Sequence, residues 1–294
     1  MPELPEVETT AGLIRPHVVG RRIEGAEVDW VRTLGGQAEG DFVRSVSGAR
    51  IVAVGRRAKF VTIDLERGGE PAGGLVIHLR MTGRLLVEPA SDPAPAYRRV
   101  SLRLDGERPG RDWLHFVDVR KFGRFEFHAD PAQRLDHLGP EPLGPEFTPD
   151  WLRAALRPRQ RAIKPLLLDQ AFLAGLGNIY VDESLHRAGI HPLRRADRIH
   201  KDRAEALHGA IIEILEAAIE REGSSFDAFY RTPEGQPGSY QHLFQVYGRE
   251  GKPCGTCGRA IRRIVVGQRG THYCTRCQPA PRGSAASRAP SSGK

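Results

Sequence analysis

The spacing of hydrophobic residues changes along the chain and predicts a β-rich first half followed by a helical segment. A short helix is expected at the start, where acidic residues follow Pro2 and where Pro16 would end the helix. From about residue 20 to residue 128, short β-branched or alternating runs are separated by Gly, Pro and Asp. The clearest runs are 50–55, 60–65, 75–79 and 100–104. The pattern predicts a β-sandwich with an N-terminal helix.

The second half of the chain has a helical period. An amphipathic face is formed by Leu207, Ile211, Ile214, Leu215 and Ala218. Residues 261–273 have the pattern of a β-hairpin, and they lie inside a cysteine-containing module. The chain is therefore expected to be an α+β multidomain protein. Its expected parts are a β-sandwich domain at 2–128, a linker at 129–149, a helical domain at 150–224, a loop region at 225–244, a cysteine module at 245–278 and a disordered tail at 279–294.

Length and charge narrow the class of protein. The 294 residues suffice for two domains, and no apolar run approaches the ~18 residues of a membrane span. The acidic, proline-broken start does not resemble a signal peptide, so a cytoplasmic protein is expected. The net charge of +8 suits a polyanionic partner without identifying it.

The four cysteines form two Cys-x-x-Cys pairs, separated by sixteen residues: Cys254, Cys257, Cys274 and Cys277. Each pair can present both thiolates to one ion, and two pairs complete a tetrahedral zinc site with no open position. A redox role is the main competitor, and a disulfide framework is disfavoured without an export signal. The spacing predicts one structural Zn²⁺ ion on a basic β-hairpin.

The N-terminus offers a second possible chemistry. Removal of Met1 would expose the secondary amine of Pro2, and an α-amino group titrates near ~8, so part of it is a neutral nucleophile at pH 7. Attack on a sugar aldehyde carbon would give an iminium ion, and Glu3 and Glu6 could move protons beside it. A helix start whose acids complement the helix dipole explains the same residues without chemistry.

Taken together, the two ends and several internal motifs resemble the bacterial formamidopyrimidine-DNA glycosylases, which remove oxidised purines from DNA. The resemblance covers roughly residues 2–278. Its motifs, in chain order, are Met1–Thr9, Arg56–Phe60, His78–Gly83, Asp118–Gly123, Ala162–Pro165, Gly175–Tyr180, Gln245–Gly248 and Gln268–Thr271. The related endonuclease VIII proteins differ at Leu4, Met81 and Phe122, so these residues favour the purine branch.

The resemblance implies catalytic roles for five residues. Pro2 would attack C1′ of the damaged nucleotide and form a Schiff base, while Glu3 would act as an acid or base at the sugar. Glu6 would orient the site. Lys59 would pair with a phosphate near the lesion and assist β-elimination, and Arg269 at the hairpin tip would grip phosphate and assist δ-elimination.

It also implies DNA contacts. Met81 and Phe122 would fill the gap left by an everted base, and Arg120 would hydrogen-bond the estranged cytosine. Asn178 and Lys164 would bind phosphates that flank the lesion.

Two further DNA contacts have less support from the sequence motifs. Arg159 is a candidate phosphate contact. The family often carries a histidine-rich stretch where this chain has Ala96–Arg99, so Tyr97 or Arg98 is a candidate for the missing phosphate contact.

The resemblance further implies a helix–two-turns–helix DNA-binding domain, a lesion-capping loop at 225–244 and a four-cysteine zinc finger at 245–278. The expected function is a monomeric, bifunctional DNA-formamidopyrimidine glycosylase and apurinic/apyrimidinic-site lyase acting on damaged double-stranded DNA in base excision repair. It would excise 8-oxoguanine and formamidopyrimidines and nick by β,δ-elimination. Two alternatives are an endonuclease VIII-like preference for oxidised pyrimidines and a non-catalytic zinc-finger DNA-binding paralogue.

Overall fold

A computed structural model describes residues 1–106, 109–225, 230–233 and 235–281. They form two compact units, and the first contains Met1–His137 and Ala218–Gln241. The second contains Leu138–Ala217 and the residues from His242 onward. From residue 282 on, the expected disordered tail falls outside the described residues. No helix in the described ranges is both long enough and apolar enough to cross a bilayer.

The first unit is built on two antiparallel four-stranded sheets, which confirms the predicted β-sandwich. One sheet has the strand order β1-β6-β7-β5 and the other β2-β3-β4-β8. The strands are β1 (Ile23–Val28), β2 (Arg50–Arg57), β3 (Phe60–Arg67), β4 (Glu70–His78), β5 (Gly83–Glu88), β6 (Arg98–Leu104), β7 (Trp113–Asp118) and β8 (Arg124–His128). The helices are α1 (Leu4–Val18), α2 (Glu39–Val46) and α3 (Pro131–Leu135).

Both sheets and α1 contribute to one hydrophobic core. Val7 and Ile14 of α1 are fully buried in the same cluster as Ile63 of β3 and Phe116 of β7. Complete burial of a large apolar side chain contributes roughly 1.5–3 kcal/mol relative to exposure, so this core fixes α1 on the sandwich. The N-terminal segment is therefore held in a defined place.

Helix α1 extends further than the sequence indicates. The sequence predicts an end at Pro16, but the helix continues to Val18 and contains Pro16 in its last turn. A proline lacks one backbone donor, and the burial of Ile14 and Val18 in the core outweighs that loss at the end of a helix.

The second unit is helical, with a β-hairpin. Its helices are α4 (Pro149–Leu156), α5 (Ile163–Leu167), α6 (Asn178–Arg187) and α7 (Lys201–Glu220), whose end crosses into the first unit. The predicted apolar face of α7 is buried, with Leu207, Ile211 and Leu215 fully inaccessible.

The hairpin predicted at 261–273 is confirmed as β9 (Arg262–Val266) paired with β10 (Arg269–Tyr273). Its turn consists of Gly267 and Gln268, with φ of +55° and +62°. Positive φ at both turn positions matches the twist of a tight hairpin. Arg269 is therefore the first residue after the turn.

Candidate active site and nucleic-acid interface

The start of α1 is buried and its backbone is tied to its own side chains. Pro2 is buried and follows Met1, so its nitrogen is an amide nitrogen until Met1 is removed. The Glu3 backbone N–H donates to Glu6 Oε2 at 2.8 Å, and both carboxylates belong to buried residues. This bond satisfies a backbone donor that the first helical turn would otherwise leave without a partner.

The second carboxylate oxygen of Glu6 holds a distant segment of the same unit. Ser224 donates to Glu6 Oε1 through its backbone N–H at 2.8 Å and through its hydroxyl at 3.1 Å. Gly223 lies against the same side chain with φ of +77°, and a Cβ there would lie 2.7 Å from Glu6 Cγ. Glu6 thus joins the helix start to the base of the predicted lesion-capping loop. Residues 226–229 and 234 of that loop lie outside the described residues.

Lys59 lies in the two-residue turn between β2 and β3, after Ala58 with φ of +52°. The turn is fixed to α1, because Arg56 Nε donates to Glu8 Oε2 at 2.8 Å while Arg56 Nη1 donates to the Ala58 carbonyl at 2.9 Å. Lys59 is only 7% exposed. The structure therefore joins the lysine turn to the helix that directly follows Pro2 and Glu3.

His78 is buried at the end of β4, in the electrostatic field of Lys59. Burial lowers the pKa of His78 to about 3, and the nearby charges of Arg80, Lys59 and Arg134 contribute to the same shift. The Arg80 backbone N–H donates to His78 Nδ1 at 3.0 Å. His78 is thus a neutral, structural group at neutral pH, although the sequence places it inside a family motif.

Two loops bring Met81, Arg120 and Phe122 together. Asp118 connects the two loops through hydrogen bonds. Its carboxylate accepts from the Thr82 hydroxyl in one loop and, at 2.7 Å, from the Gly123 backbone N–H in the other. Arg120 Nη1 lies 3.2 Å from Met81 Sδ, and its guanidinium carbon lies 5.2 Å from the centre of the Phe122 ring.

Phe122 is 51% exposed, which is unusual for a large apolar side chain. The predicted void-filling residues therefore form one cluster on the surface. Thr82 and Asp118, which hold the two loops, were not singled out as functional from the sequence.

Arg98 is the first residue of β6, and Tyr97 directly precedes it. The two side chains have different environments. Arg98 pairs with Asp29 at 2.5 Å and with Glu27 at 2.8 Å. Tyr97 has φ of +61° and is 58% exposed. Of the two candidates for the missing phosphate contact, Tyr97 has the accessible side chain.

In the second unit, α6 begins beside the hairpin. The Asn178 side chain donates to the Gly270 carbonyl through Nδ2 at 3.0 Å, and Asn178 Oδ1 has no hydrogen-bond partner among the described residues. Lys164 Nζ reaches the same carbonyl at 3.3 Å. Gly270 directly follows the exposed Arg269. The structure therefore brings the side chains of Asn178 and Lys164 close to the backbone beside Arg269.

The burial of Lys164 does not favour the direct phosphate contact expected for it, and that contact stays a prediction. Its side chain is 0% exposed and forms an ion pair with Asp182, with Nζ 2.6 Å from Oδ1, and Asp182 is equally buried. A long-range partner, 18 residues away, accounts for the burial of the cation. The position of Lys164 instead supports the backbone beside Arg269.

Polar residues of α6 contact the cysteine module at several points, and the sequence did not identify them as functional. Asp182 Oδ2 accepts from the His272 backbone N–H at 2.8 Å. Glu183 accepts three backbone N–H bonds from residues 245–247 at 2.8–2.9 Å. Burial raises the pKa of Glu183, and these three donors oppose the shift. The only available signal was a run of polar residues on a helix whose surroundings are otherwise apolar.

His186, one turn further along α6, contacts the first cysteine. His186 Nε2 lies 3.5 Å from Cys254 Sγ, and both residues are buried. A ring N–H directed at a thiolate sulfur is typical of the groups that orient metal ligands.

The four cysteines lie close enough to share one ion. All four Sγ atoms lie within 4.8 Å of one another, with Cys254–Cys277 at 3.9 Å and Cys257–Cys274 at 3.4 Å. Tetrahedral zinc with Zn–S bonds of about 2.3 Å requires S–S separations of about 3.8 Å. The donor set therefore fits one structural zinc ion with every position filled by sulfur.

Arg159 lies apart from these contacts, exposed after α4. It borders a small cavity of about 140 Å³ together with Arg161 and Asp169. The structure gives it a basic, accessible setting, and its phosphate contact stays a prediction.

Comparison with known proteins covers nearly the whole chain. The sequence matches three family descriptions: the formamidopyrimidine-DNA glycosylase N-terminal domain over residues 1–125, the H2TH domain of the same glycosylase over 138–229, and the zinc finger found in FPG and IleRS over 251–280.

Individual relatives agree with these matches. The formamidopyrimidine-DNA glycosylase of Chloroflexus aggregans is 48% identical over 282 residues, covering 95% of this chain and 98% of the relative. A Synechococcus protein of the same name is 42% identical over 285 residues, covering 95% of this chain and 99% of the relative.

Solved structures show the same fold. A mutant FPG protein from Lactococcus lactis in complex with Fapy-dG-containing DNA has a TM-score of 0.85 at 34% identity, covering 95% of this chain and all of the other. The MutM (FPG) protein of Thermus thermophilus has a TM-score of 0.81 at 39% identity, covering 94% of this chain and 98% of the other. This chain therefore belongs to the formamidopyrimidine-DNA glycosylase family.

Proposed function

We propose that this chain is a bifunctional DNA glycosylase and lyase of base excision repair that removes oxidised purines from duplex DNA. Its family gives the class, since the curated relatives carry the glycosylase name and solved relatives hold damaged DNA. The observation that carries the proposal is the start of α1. There, the segment with Pro2 and Glu3 is bound to the Lys59 turn by Glu8 and Arg56, and to Ser224 by Glu6.

The proposed reaction begins after Met1 has been removed. The neutral amine of Pro2 attacks C1′ of the damaged nucleotide, the bond from C1′ to the base breaks, and the sugar ring opens to an iminium ion. Glu3 exchanges a proton with the sugar during ring opening. Glu6 positions this carboxylate and amine through the helix start, because its own oxygens are engaged by Glu3 N and Ser224.

Two cations then act on the phosphates. Lys59 binds the phosphate beside the lesion and assists the loss of the 3′ phosphate in β-elimination. Arg269, exposed at the hairpin turn, assists the second loss in δ-elimination. In the first elimination, C2′ loses a proton to solvent as the C3′–O bond to the phosphate breaks, and the iminium ion is the electron sink that acidifies this proton. In the second, C4′ loses a proton as the C5′–O bond to the phosphate breaks, and water then hydrolyses the iminium ion and releases Pro2.

Specificity for duplex DNA comes from the surface cluster. Met81 and Phe122 occupy the space of the everted base, and Arg120 donates to the partner cytosine. Asn178, Tyr97 and Arg159 contribute phosphate contacts. The four cysteines hold one zinc ion, which stabilises the module that carries Arg269.

We infer a monomer in the cytoplasm, with a β-sandwich domain at 2–128, a linker at 129–149, a helix–two-turns–helix domain at 150–224, a lesion-capping region at 225–244 and a zinc finger at 245–278. A short helix, α3, lies within the proposed linker.

The test compares lesion duplexes and variants. The wild type should excise 8-oxoguanine opposite cytosine and nick the strand faster than it acts on a matched duplex with an oxidised thymine. Glu3→Gln should lose most of this activity, whereas Glu39→Gln should retain it. Glu39 is an exposed acid in the first turn of α2 and serves as a matched control. Preference for the thymine lesion would favour the endonuclease VIII-like alternative, and binding without excision of either lesion would favour a non-catalytic paralogue.

A further inference from the structure

A basic cavity of about 160 Å³ lies in the second unit, between the end of α6 and the start of α7. The side chains that define this cavity, called here the Arg194 cavity, are His191, Arg194, Arg198, His200, Arg203 and Pro279. Three are arginines and two are histidines, and none of the described residues that line it is acidic. It contains none of the residues assigned above to DNA, zinc or catalysis.

The position of Arg203 is fixed by the backbone. Its Nη1 donates to the Ala188 carbonyl at the end of α6, at 2.8 Å. Gly189 follows with φ of +66°, and a Cβ there would lie 2.6 Å from Arg203 Nη1. A cation on the last carbonyls of a helix is stabilised by the helix dipole. Arg203 is exposed, but this bond gives it a defined position on one wall of the Arg194 cavity.

His191 lines the cavity, and its ring packs edge-on against that of Tyr273, with the ring centres 4.7 Å apart. It is 1% exposed, and its Nδ1 accepts the Leu193 backbone N–H at 3.1 Å, so the neutral ring carries its proton on Nε2. That Nε2 is buried and has no hydrogen-bond partner among the described residues. Burial lowers the pKa of His191 to about 4, with a smaller contribution from Arg194, so the ring is a neutral donor at pH 7. A buried donor without an acceptor is costly, and an acceptor bound in the cavity would relieve that cost.

The start of α7 adds positive potential. The backbone N–H groups of Arg203 and Ala204 both donate to the His200 carbonyl, at 3.1 and 3.0 Å, so the helix begins at the cavity. Helix α7 has 20 residues, and the first turn of a helix presents free N–H groups and the positive end of its dipole.

The charge of Arg194 is available. Within the described ranges, no carboxylate forms an ion pair with Arg194, whereas Asp197 engages Arg195 at 2.7 Å and Arg198 at 3.9 Å. Asp202 lies in the first turn of α7 but does not line the cavity. Arginine, ring N–H and helix N-terminus together are the donors that proteins use for phosphate.

We propose that the Arg194 cavity binds a phosphate group. Arg194 supplies the charge, Arg198 closes the exposed side, and His191 and the start of α7 supply N–H donors. The phosphate comes either from the backbone of bound DNA, away from the lesion, or from free inorganic phosphate. Neither source is needed for the base-removal chemistry proposed above.

The first test titrates inorganic phosphate into the full, zinc-loaded chain in a chloride buffer and follows the imidazole resonances of His191 and His200 by NMR. The wild type should show a saturable shift of both rings. Arg194→Gln should weaken the binding about tenfold or more, as expected for the loss of a charged hydrogen-bonding partner. Arg153→Gln is the matched control, because Arg153 is an exposed arginine on α4 that pairs with Asp150. It should leave the titration unchanged.

The second test separates the two sources. If the phosphate belongs to DNA, Arg194→Gln should reduce the slope of log K against log salt for an undamaged duplex by about one relative to Arg153→Gln, and DNA should displace inorganic phosphate. If the phosphate is free, the slope should not change and phosphate should bind the DNA-saturated protein.

The absence of any saturable shift in the wild type, or equal titrations for the wild type and Arg194→Gln, would overturn the proposal. Zinc content and thermal unfolding check that Arg194→Gln is folded. If it is not, the exposed Arg198→Gln replaces it under the same criteria.

Discussion

Replacing Lys164 with methionine tests the buried ion pair that supports the hairpin. Lys164 Nζ lies 2.6 Å from Asp182 Oδ1, and both side chains are 0% exposed. The change would leave the Asp182 carboxylate buried, with the His272 backbone N–H still donating to it at 2.8 Å. Breaking one partner of a buried pair costs about 3–5 kcal/mol, a large share of the roughly 5–15 kcal/mol that stabilises a domain.

The assay is urea unfolding followed by zinc release to a chromogenic chelator, because the zinc site reports on the second unit alone. Lys164→Met should lower the midpoint strongly. The double variant Lys164→Met/Asp182→Asn should recover part of the loss, since a neutral amide costs less to bury and its oxygen still accepts from His272. Lys201→Met is the control, because Lys201 is exposed and lies 3.8 Å from Glu205 on the surface of α7. Its loss should cost less than about 1 kcal/mol.

The same variants distinguish support of the hairpin from a direct phosphate contact. A direct contact would leave the zinc-release midpoint of Lys164→Met unchanged and lower the salt slope of DNA binding by about one. That result would refute the assignment of Lys164 to the hairpin. A lower midpoint, with Asp182→Asn restoring part of it, is the result expected here.

Three further variants have defined outcomes. His186→Phe removes the contact at 3.5 Å with Cys254 Sγ, and zinc loss to a competing chelator should become about 10–100-fold more favourable; unchanged zinc affinity would exclude a role for His186 at the metal. Phe122→Ala should slow excision of 8-oxoguanine but change the thermal unfolding free energy by only about 0.5 kcal/mol, because Phe122 is 51% exposed. An unfolded variant, or one with full excision, would contradict the void-filling role. His78→Phe should change the pH dependence of stability. The folded pKa of His78 is about 3, below its ordinary value of 6.5, so the wild type loses stability as pH falls below 6.5, by up to about 1.4 kcal/mol per pH unit from this group. The unfolding free energy of the wild type minus that of the variant, measured by urea unfolding at pH 7.5, 6 and 5, should therefore decrease as pH falls, whereas a constant difference would show that His78 titrates normally.

Local rules predicted the parts of the fold that depend on neighbours in sequence. The paired Cys-x-x-Cys spacing predicted the cysteine cluster, and Gly267 allowed the tight turn of the hairpin. The apolar face of α7 was visible because helical periodicity repeats over several turns. Pro16 was misjudged because the burial of Ile14 and Val18 depends on the sheets, which a local rule does not include.

A sequence motif indicates which residues belong to the candidate site, but it does not give the environment that distant partners create around them. Lys164 looks like a surface cation in sequence, because nothing near it shows that Asp182 lies 2.6 Å away in the fold. Ser224, bonded to Glu6 across 218 positions, has no local signal at all. Asp182, Glu183 and His186 resemble an ordinary polar helix surface until the cysteine module is seen to pack on it.

In the proposed reaction, the amine of Pro2 is the nucleophile on which every later step depends. The most direct measurement incubates the protein, with removal of Met1 verified by intact mass, with a duplex carrying 8-oxoguanine opposite cytosine, and adds borohydride. We expect a covalent protein–DNA complex whose attachment maps to Pro2 by peptide mass spectrometry, and no such complex for Pro2→Gly. Attachment to another residue, or strand nicking at full rate by Pro2→Gly, would contradict it.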